Sequence, residues 1–89
     1  MASRQRPKAH VKLYTRPGCH LCDEAKREML AAGCRDLYEL EEIDVDSDAE
    51  LRRRYGWDVP VVTVNGALAF KHRLTRDDFR DEILRAVGS

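Results

Sequence analysis

Apolar and polar positions alternate along His10–Thr15 (HVKLYT), and the stretch holds a valine and a tyrosine, so it predicts a strand. Pro17-Gly18 stops it. The period then changes: Leu21, Ala25, Met29 and Ala32 form a helical stripe, and Gly33 stands where a left-handed C-cap would end the helix. Leu37–Asp46 (LYELEEIDVD) predicts a second strand, clearest at Ile43 and Val45. Ser47 with Glu50 three residues on is a capping box, so a short helix is predicted to run to about Tyr55 and end at Gly56. In Val59–Phe70 two short apolar runs flank Asn65-Gly66, both tolerant of positive φ, which predicts a type I′ hairpin. Thr75 reads as a further N-cap, with Leu74 and Phe79 as a hydrophobic staple and Phe79, Ile83 and Val87 as the apolar face of a last helix.

The order is β-α-β-α-β-β-α. A strand–helix–strand opening implies a parallel pair joined by a right-handed crossover. The hairpin adds antiparallel strands to the same sheet. An α/β fold follows, a four-stranded mixed sheet flanked by three helices that cover both faces. The expected organisation is a disordered tail over 1–9 and one domain over 10–89. The basic start MASRQRPKAH is read as a frayed tail and not a transit peptide.

Charge and composition narrow the function classes. The 89 residues carry 16 basic and 16 acidic side chains, so nothing draws the chain generally to nucleic acid or to an anionic membrane. No apolar run approaches the roughly 20 residues of a membrane span. Three cysteines and no secretory pattern argue against a disulfide-stapled extracellular scaffold and for a reducing, cytoplasmic setting. There a close cysteine pair is more often catalytic or metal-binding than structural.

Cys19 and Cys22 lie in YTRPGCHLCDEAK, after a strand and Pro-Gly and at the start of a helix. In mid-helix, positions three apart hold their Cβ atoms about 5–6 Å apart, whereas a disulfide needs about 3.5–4.5 Å. At the N-terminus the first residue is outside regular geometry, so Cys19 can swing onto Cys22 and the pair can open and close. Unpaired N–H groups put about half a positive charge there. Arg16 lies three residues upstream and His20 is adjacent. Such surroundings lower a thiol pKa from about 8.5 to about 3.5–7.5. Cys19 is therefore the expected nucleophile, Cys22 the resolving thiol, and Arg16 and His20 the thiolate-stabilising residues. Two other readings stand: half of a zinc site, for which no second pair exists and His10, Cys34 and His72 are scattered, or two inert cysteines.

The combination of LYTRPGCHLCDEAK, EIDVD and VPVVTVNG resembles the glutaredoxins of the thioredoxin superfamily, and most of all the small glutaredoxin-like proteins with a Cys-x-Leu-Cys site. The resemblance spans roughly Val11 to Val87. It implies a thioredoxin-like fold and thiol–disulfide oxidoreductase activity on protein or mixed disulfides, and it matches Cys19 and Cys22 to the family's nucleophilic and resolving cysteines. Arg16 matches the basic residue that favours the thiolate and the glutathione carboxylate. Val59-Pro60 matches a cis Val-Pro that faces the cysteines and offers backbone to bound peptide or glutathione. The implied partners are disulfide-containing proteins, with glutathione or a thioredoxin-type reductase as electron donor. A monomer is expected, with no metal and no tightly bound cofactor; glutathione is a candidate co-substrate. The alternative the resemblance leaves is an iron–sulfur or metal-binding carrier. The sequence departs from the common pattern in two places. His20-Leu21 replaces Pro-Tyr between the cysteines, and Lys71, His72 and Arg73 stand where a Gly-Gly pair usually follows the hairpin.

The remaining conspicuous residues have plainer expectations. Arg52, Arg53 and Arg54 read as a solvated helix face, Trp57 as a core or groove-wall residue, and Tyr14 as structural. Cys34 lies about 18 Å or more along the first helix from the pair, given a rise of 1.5 Å per residue, and reads as a bystander. His10 and His72 read as surface histidines.

Overall fold

The computed structural model describes residues 8–88. Strand β1 spans Ala9–Thr15, helix α1 His20–Ala31, β2 Tyr38–Asp44, α2 Ala49–Tyr55, β3 Val61–Val64, β4 Ala67–Lys71 and α3 Arg76–Gly88. Short 3-10 turns at Arg35–Leu37 and Val45–Ser47 bracket β2. This is the β-α-β-α-β-β-α order that the hydrophobic pattern predicts. The sheet order is β2-β1-β3-β4, with β1 parallel to β2 and antiparallel to β3, and β3 antiparallel to β4.

Strand β1 lies inside the sheet, between β2 and β3, with one face buried along its length and the other buried at Tyr14. Ala9, Val11 and Leu13 join Met29, Ala32, Cys34, Tyr38, Val62, Phe79 and Ile83 in the main core beneath α1 and α3. Tyr38 meets Phe79 edge to face at 5.2 Å between centroids, a geometry that the aromatic quadrupole favours. On the opposite face Tyr14, Val45 and Val61 form a smaller core with Ile43, Leu51, Tyr55 and Val59. Helix α2 has seven residues, and it covers only the Tyr14 end of that face. By strand alternation His10 and Lys12 share the face with Tyr14, and both are exposed, so the expected full cover of both faces is only half met there.

Three local expectations shift. Ala9, placed in the tail by the sequence, pairs with Tyr38 in β1 and is 1% exposed; residues 1–7 of that expected tail lie outside the described residues. Val45 leaves the second strand for the 3-10 turn, because the Asp44 carboxylate accepts from the Asp46 N–H at 2.8 Å and tightens the chain. The α2 cap moves from Ser47 to Asp48, whose carboxylate accepts from the N–H groups of Glu50 at 2.7 Å and Leu51 at 3.3 Å. Aspartate caps as well as serine, and the Ser47 hydroxyl donates instead to the Asp44 carbonyl at 2.6 Å. The hairpin turn does carry positive φ at both Asn65 (52°) and Gly66 (85°). The Thr75 hydroxyl accepts from the Asp78 N–H at 3.1 Å at the start of α3.

Candidate functional site

Register brings the site together. Tyr14 of β1 pairs with Val61 of β3, so the loop leaving β1 and the Val59-Pro60 segment entering β3 meet at one end of the sheet. The Val59–Pro60 peptide bond is cis. Helix α1 starts at the same end. Gly18 has φ 77°, a left-handed value that suits glycine, and it turns the chain into the helix.

Cys19 is the N-cap of α1. Its sulfur accepts from the Cys22 N–H at 3.1 Å, which satisfies one of the otherwise unpaired amides of the first turn. The two sulfurs are joined, with the Cα atoms 5.2 Å apart, inside the usual disulfide range. The pair is asymmetric. Cys19 is partly exposed, while Cys22 is 1% exposed, on the buried side of α1 with Ala25 and Met29. His20, the first helical residue, is exposed.

Arg16 is anchored laterally. Its guanidinium donates to both carboxylate oxygens of Asp46, at 3.2 and 3.1 Å, and to the Gly56 carbonyl at 3.0 Å. Its own carbonyl accepts from the Cys19 N–H at 3.2 Å. The guanidinium therefore ties the cysteine loop to the 3-10 turn before α2 and to the end of α2, and its charge is shared with Asp46. The bond to Arg16 holds the Asp46 carboxyl below its ordinary range, and the bond to Asp46 raises the guanidinium correspondingly. Gly56 is buried at this junction, and a Cβ there would stand 2.5 Å from the Arg52 carbonyl. Asp46 was not singled out as a partner of Arg16 by the sequence; the two are 30 positions apart and no local pattern links them.

Pro60 is buried and Val59 half-buried. The Pro60 carbonyl accepts from the His72 N–H at 2.8 Å, and the Arg73 N–H donates back to the Lys71 carbonyl at 2.7 Å. His72 sits at the centre of that tight turn with φ 68°. Asp58 reaches both Lys71, at 3.6 Å, and His72, at 3.7 Å. The segment after β4 is thus laced onto the loop before β3.

Of the two places expected for Trp57, the structure excludes the core and leaves the groove wall: it is 92% exposed and lines a surface depression beside Arg16. It follows Gly56 in a loop with no apolar periodicity, which is the signal the sequence offered. Arg52, Arg53 and Arg54 are exposed as predicted, with Arg53 paired to Glu50. Cys34 is buried in the main core, and burial pushes its thiol pKa up. Among the described residues, no group of three or more His, Cys, Asp or Glu could hold a metal ion. No helix of the described chain is long and apolar enough to cross a membrane.

Comparison with known proteins agrees with this geometry. The family profile described as Glutaredoxin-like domain (DUF836) matches residues 10–84. A curated relative, the glutaredoxin-like protein YDR286C homolog of Dictyostelium discoideum, is 34% identical over 74 residues, which cover 76% of this chain and 68% of the relative. Among solved structures, the target protein XcR50 from X. campestris is similar at a TM-score of 0.74 and 28% identity, over 85% of this chain and 97% of that one. A thioredoxin from Halobacterium salinarum NRC-1 has a TM-score of 0.67 at 18% identity, over 90% of this chain and 75% of its own, and shows the thioredoxin fold.

Proposed function

The chain belongs to the glutaredoxin-like domain family of the thioredoxin superfamily, and on that premise we propose that it is a thiol–disulfide oxidoreductase acting on protein or mixed disulfides through Cys19 and Cys22. The observation that carries the reading is the asymmetry of the pair: an accessible sulfur facing a backbone N–H, and a buried mate three residues on.

In the reduced protein the Cys22 N–H and the helix dipole favour the Cys19 thiolate over the thiol. The thiolate attacks one sulfur of a substrate disulfide. The other sulfur leaves as a thiolate and takes up a proton. Cys22 loses its proton and attacks the Cys19 sulfur of the mixed disulfide, releasing the second substrate thiol. The substrate gains two electrons, and the protein is left with the Cys19–Cys22 disulfide. Glutathione or a thioredoxin-type reductase restores the dithiol.

Arg16, anchored by Asp46 and Gly56, steadies the loop bearing Cys19 and contributes a positive charge offset by Asp46. His20, exposed beside the thiolate, adds charge when protonated. The Val59-Pro60 backbone, at the same sheet end, pairs with an extended substrate segment. We further propose a monomer working in the cytoplasm with no tightly bound cofactor, on protein partners and not on nucleic acid or membrane.

Two variants test this in two assays, reduction of a glutathione-mixed disulfide and reduction of a protein disulfide with a thioredoxin-type reductase. Cys19→Ser is expected to bring both to background. Cys22→Ser is expected to keep only the mixed-disulfide reaction, which needs one thiol. Full activity in Cys19→Ser refutes the assignment.

A further inference from the structure

Beside the cysteine loop, Arg16, Ala49, Arg52, Arg53, Gly56 and Trp57 line a surface depression of about 460 Å³. No carboxylate is among the lining residues. Asp46 pairs with Arg16 and also feels the charge of Arg52, and Glu50 pairs with Arg53, so the three arginines of the wall face two nearby carboxylates and leave one positive charge in excess. The apolar part of the wall is Trp57, which is 92% exposed, whereas Tyr14, Tyr38 and Phe79 are buried and Tyr55 and Phe70 half-buried. An indole left in water forfeits the burial of about 150–250 Å² that aromatic side chains normally achieve. Exposed tryptophan and arginine are the residue types that most often dominate the energy of protein interfaces.

The depression also adjoins the reactive sulfur. Arg16 forms part of its wall, and the Arg16 carbonyl accepts the Cys19 N–H at 3.2 Å. Trp57 lies two residues before Val59-Pro60. A chain segment seated on Trp57 and Arg52 can therefore continue to Cys19.

We infer that this face docks an acidic segment of the disulfide-bearing partner, with an apolar side chain against the Trp57 ring and carboxylates against Arg52 and Arg53. The partner's disulfide rests on the exchange chemistry proposed above; the docking itself does not. Complementary charge raises the rate of encounter and rejects basic partners.

Trp57 is the single tryptophan of the chain, so its emission reports directly on the face. The titration uses the Cys19→Ser/Cys22→Ser protein, which cannot trap substrate. The probe is a tryptophan-free peptide in which glutamates and a leucine flank an internal disulfide, compared with its glutamine counterpart. The expected result is a saturable blue shift with the glutamate peptide at low salt, weakened about tenfold for the glutamine peptide and strongly reduced near 1 M salt, where the Debye length is about 3 Å. Arg52→Glu/Arg53→Glu is expected to abolish the preference. Arg52→Gln/Arg53→Gln, milder and checked for folding by circular dichroism, is expected to weaken it. Equal response to the two peptides, no response, or a response matched by reduced glutathione at the same concentration overturns the inference. So does an emission that is already blue-shifted and reddens on dilution, which means that a second copy covers the face. The reduced wild-type protein mixed with the same peptides separates the two claims. Binding without disulfide exchange supports docking and removes the redox reading; exchange at one rate for both peptides without binding does the reverse.

Discussion

His72 holds a conformation that its side chain disfavours. A non-glycine residue at φ 68° carries about 1–2 kcal/mol of steric cost, while glycine in its place would lose about 0.5–1 kcal/mol more backbone entropy on folding. The exposed contact to Asp58 contributes little. His72→Gly is therefore expected to stabilise the fold by about 0.5–1 kcal/mol in urea unfolding; a loss of stability would show that Asp58 and the ring hold this turn. At this scale the sequence was readable where chemistry is local. Asn65-Gly66 announce a turn with two positive φ values, and Cys19 announces a helix start. Long-range partners were not readable. Nothing near Arg16 in the chain indicates Asp46, and nothing near Asp58 indicates Lys71 and His72. Core and groove wall both stood open for Trp57, because residue type does not decide burial in a loop without periodicity.

The elements owe their mutual placement to a few capped ends. The Glu28 carboxylate on α1 accepts from the Arg76 backbone N–H at 2.9 Å and from its guanidinium at 3.1 Å on two nitrogens, so it caps α3 and joins the two helices. Arg80 of α3 donates back to the Ala32 carbonyl at the end of α1 at 2.9 Å. The bonds to Arg76 hold the Glu28 carboxyl below its ordinary value. A carboxyl whose pKa is lowered by folding stabilises the fold above its unfolded pKa, about 4.3 for glutamate, and loses that contribution as pH falls through the folded value. Glu28→Gln is thus expected to lower the denaturation midpoint at pH 7, with the gap to wild type closing below about pH 4. Thermal melts across that range check it, and a gap independent of pH would assign the effect to packing. Helix and strand identities were legible because their apolar periods are clean, and the boundaries were less so. Ser47 and Asp48 both make good caps, and only the Asp44-driven turn chooses between them. The shortness of α2 was legible from its predicted end near Tyr55, but which part of the sheet so short a helix covers is set by tertiary packing and not by the local pattern.

Across the whole molecule, the fold gathers its chemistry at one end of the sheet. Strand β1 delivers the cysteine loop, β3 begins just after Pro60 beside it, and α2 ends at Gly56 against Arg16. The third cysteine is kept apart in the main core, where burial disfavours its thiolate. The three thiols should therefore react in strict order, the accessible Cys19 far ahead of the buried Cys22 and Cys34. The most direct test is iodoacetamide modification of the fully reduced protein across pH, with the modified residue identified by peptide mapping. Modification is expected at residue 19 alone, with a midpoint at least a unit below the value of about 8.5 of an ordinary cysteine. A midpoint at about 8.5, or equal labelling of Cys19 and Cys22, would contradict it.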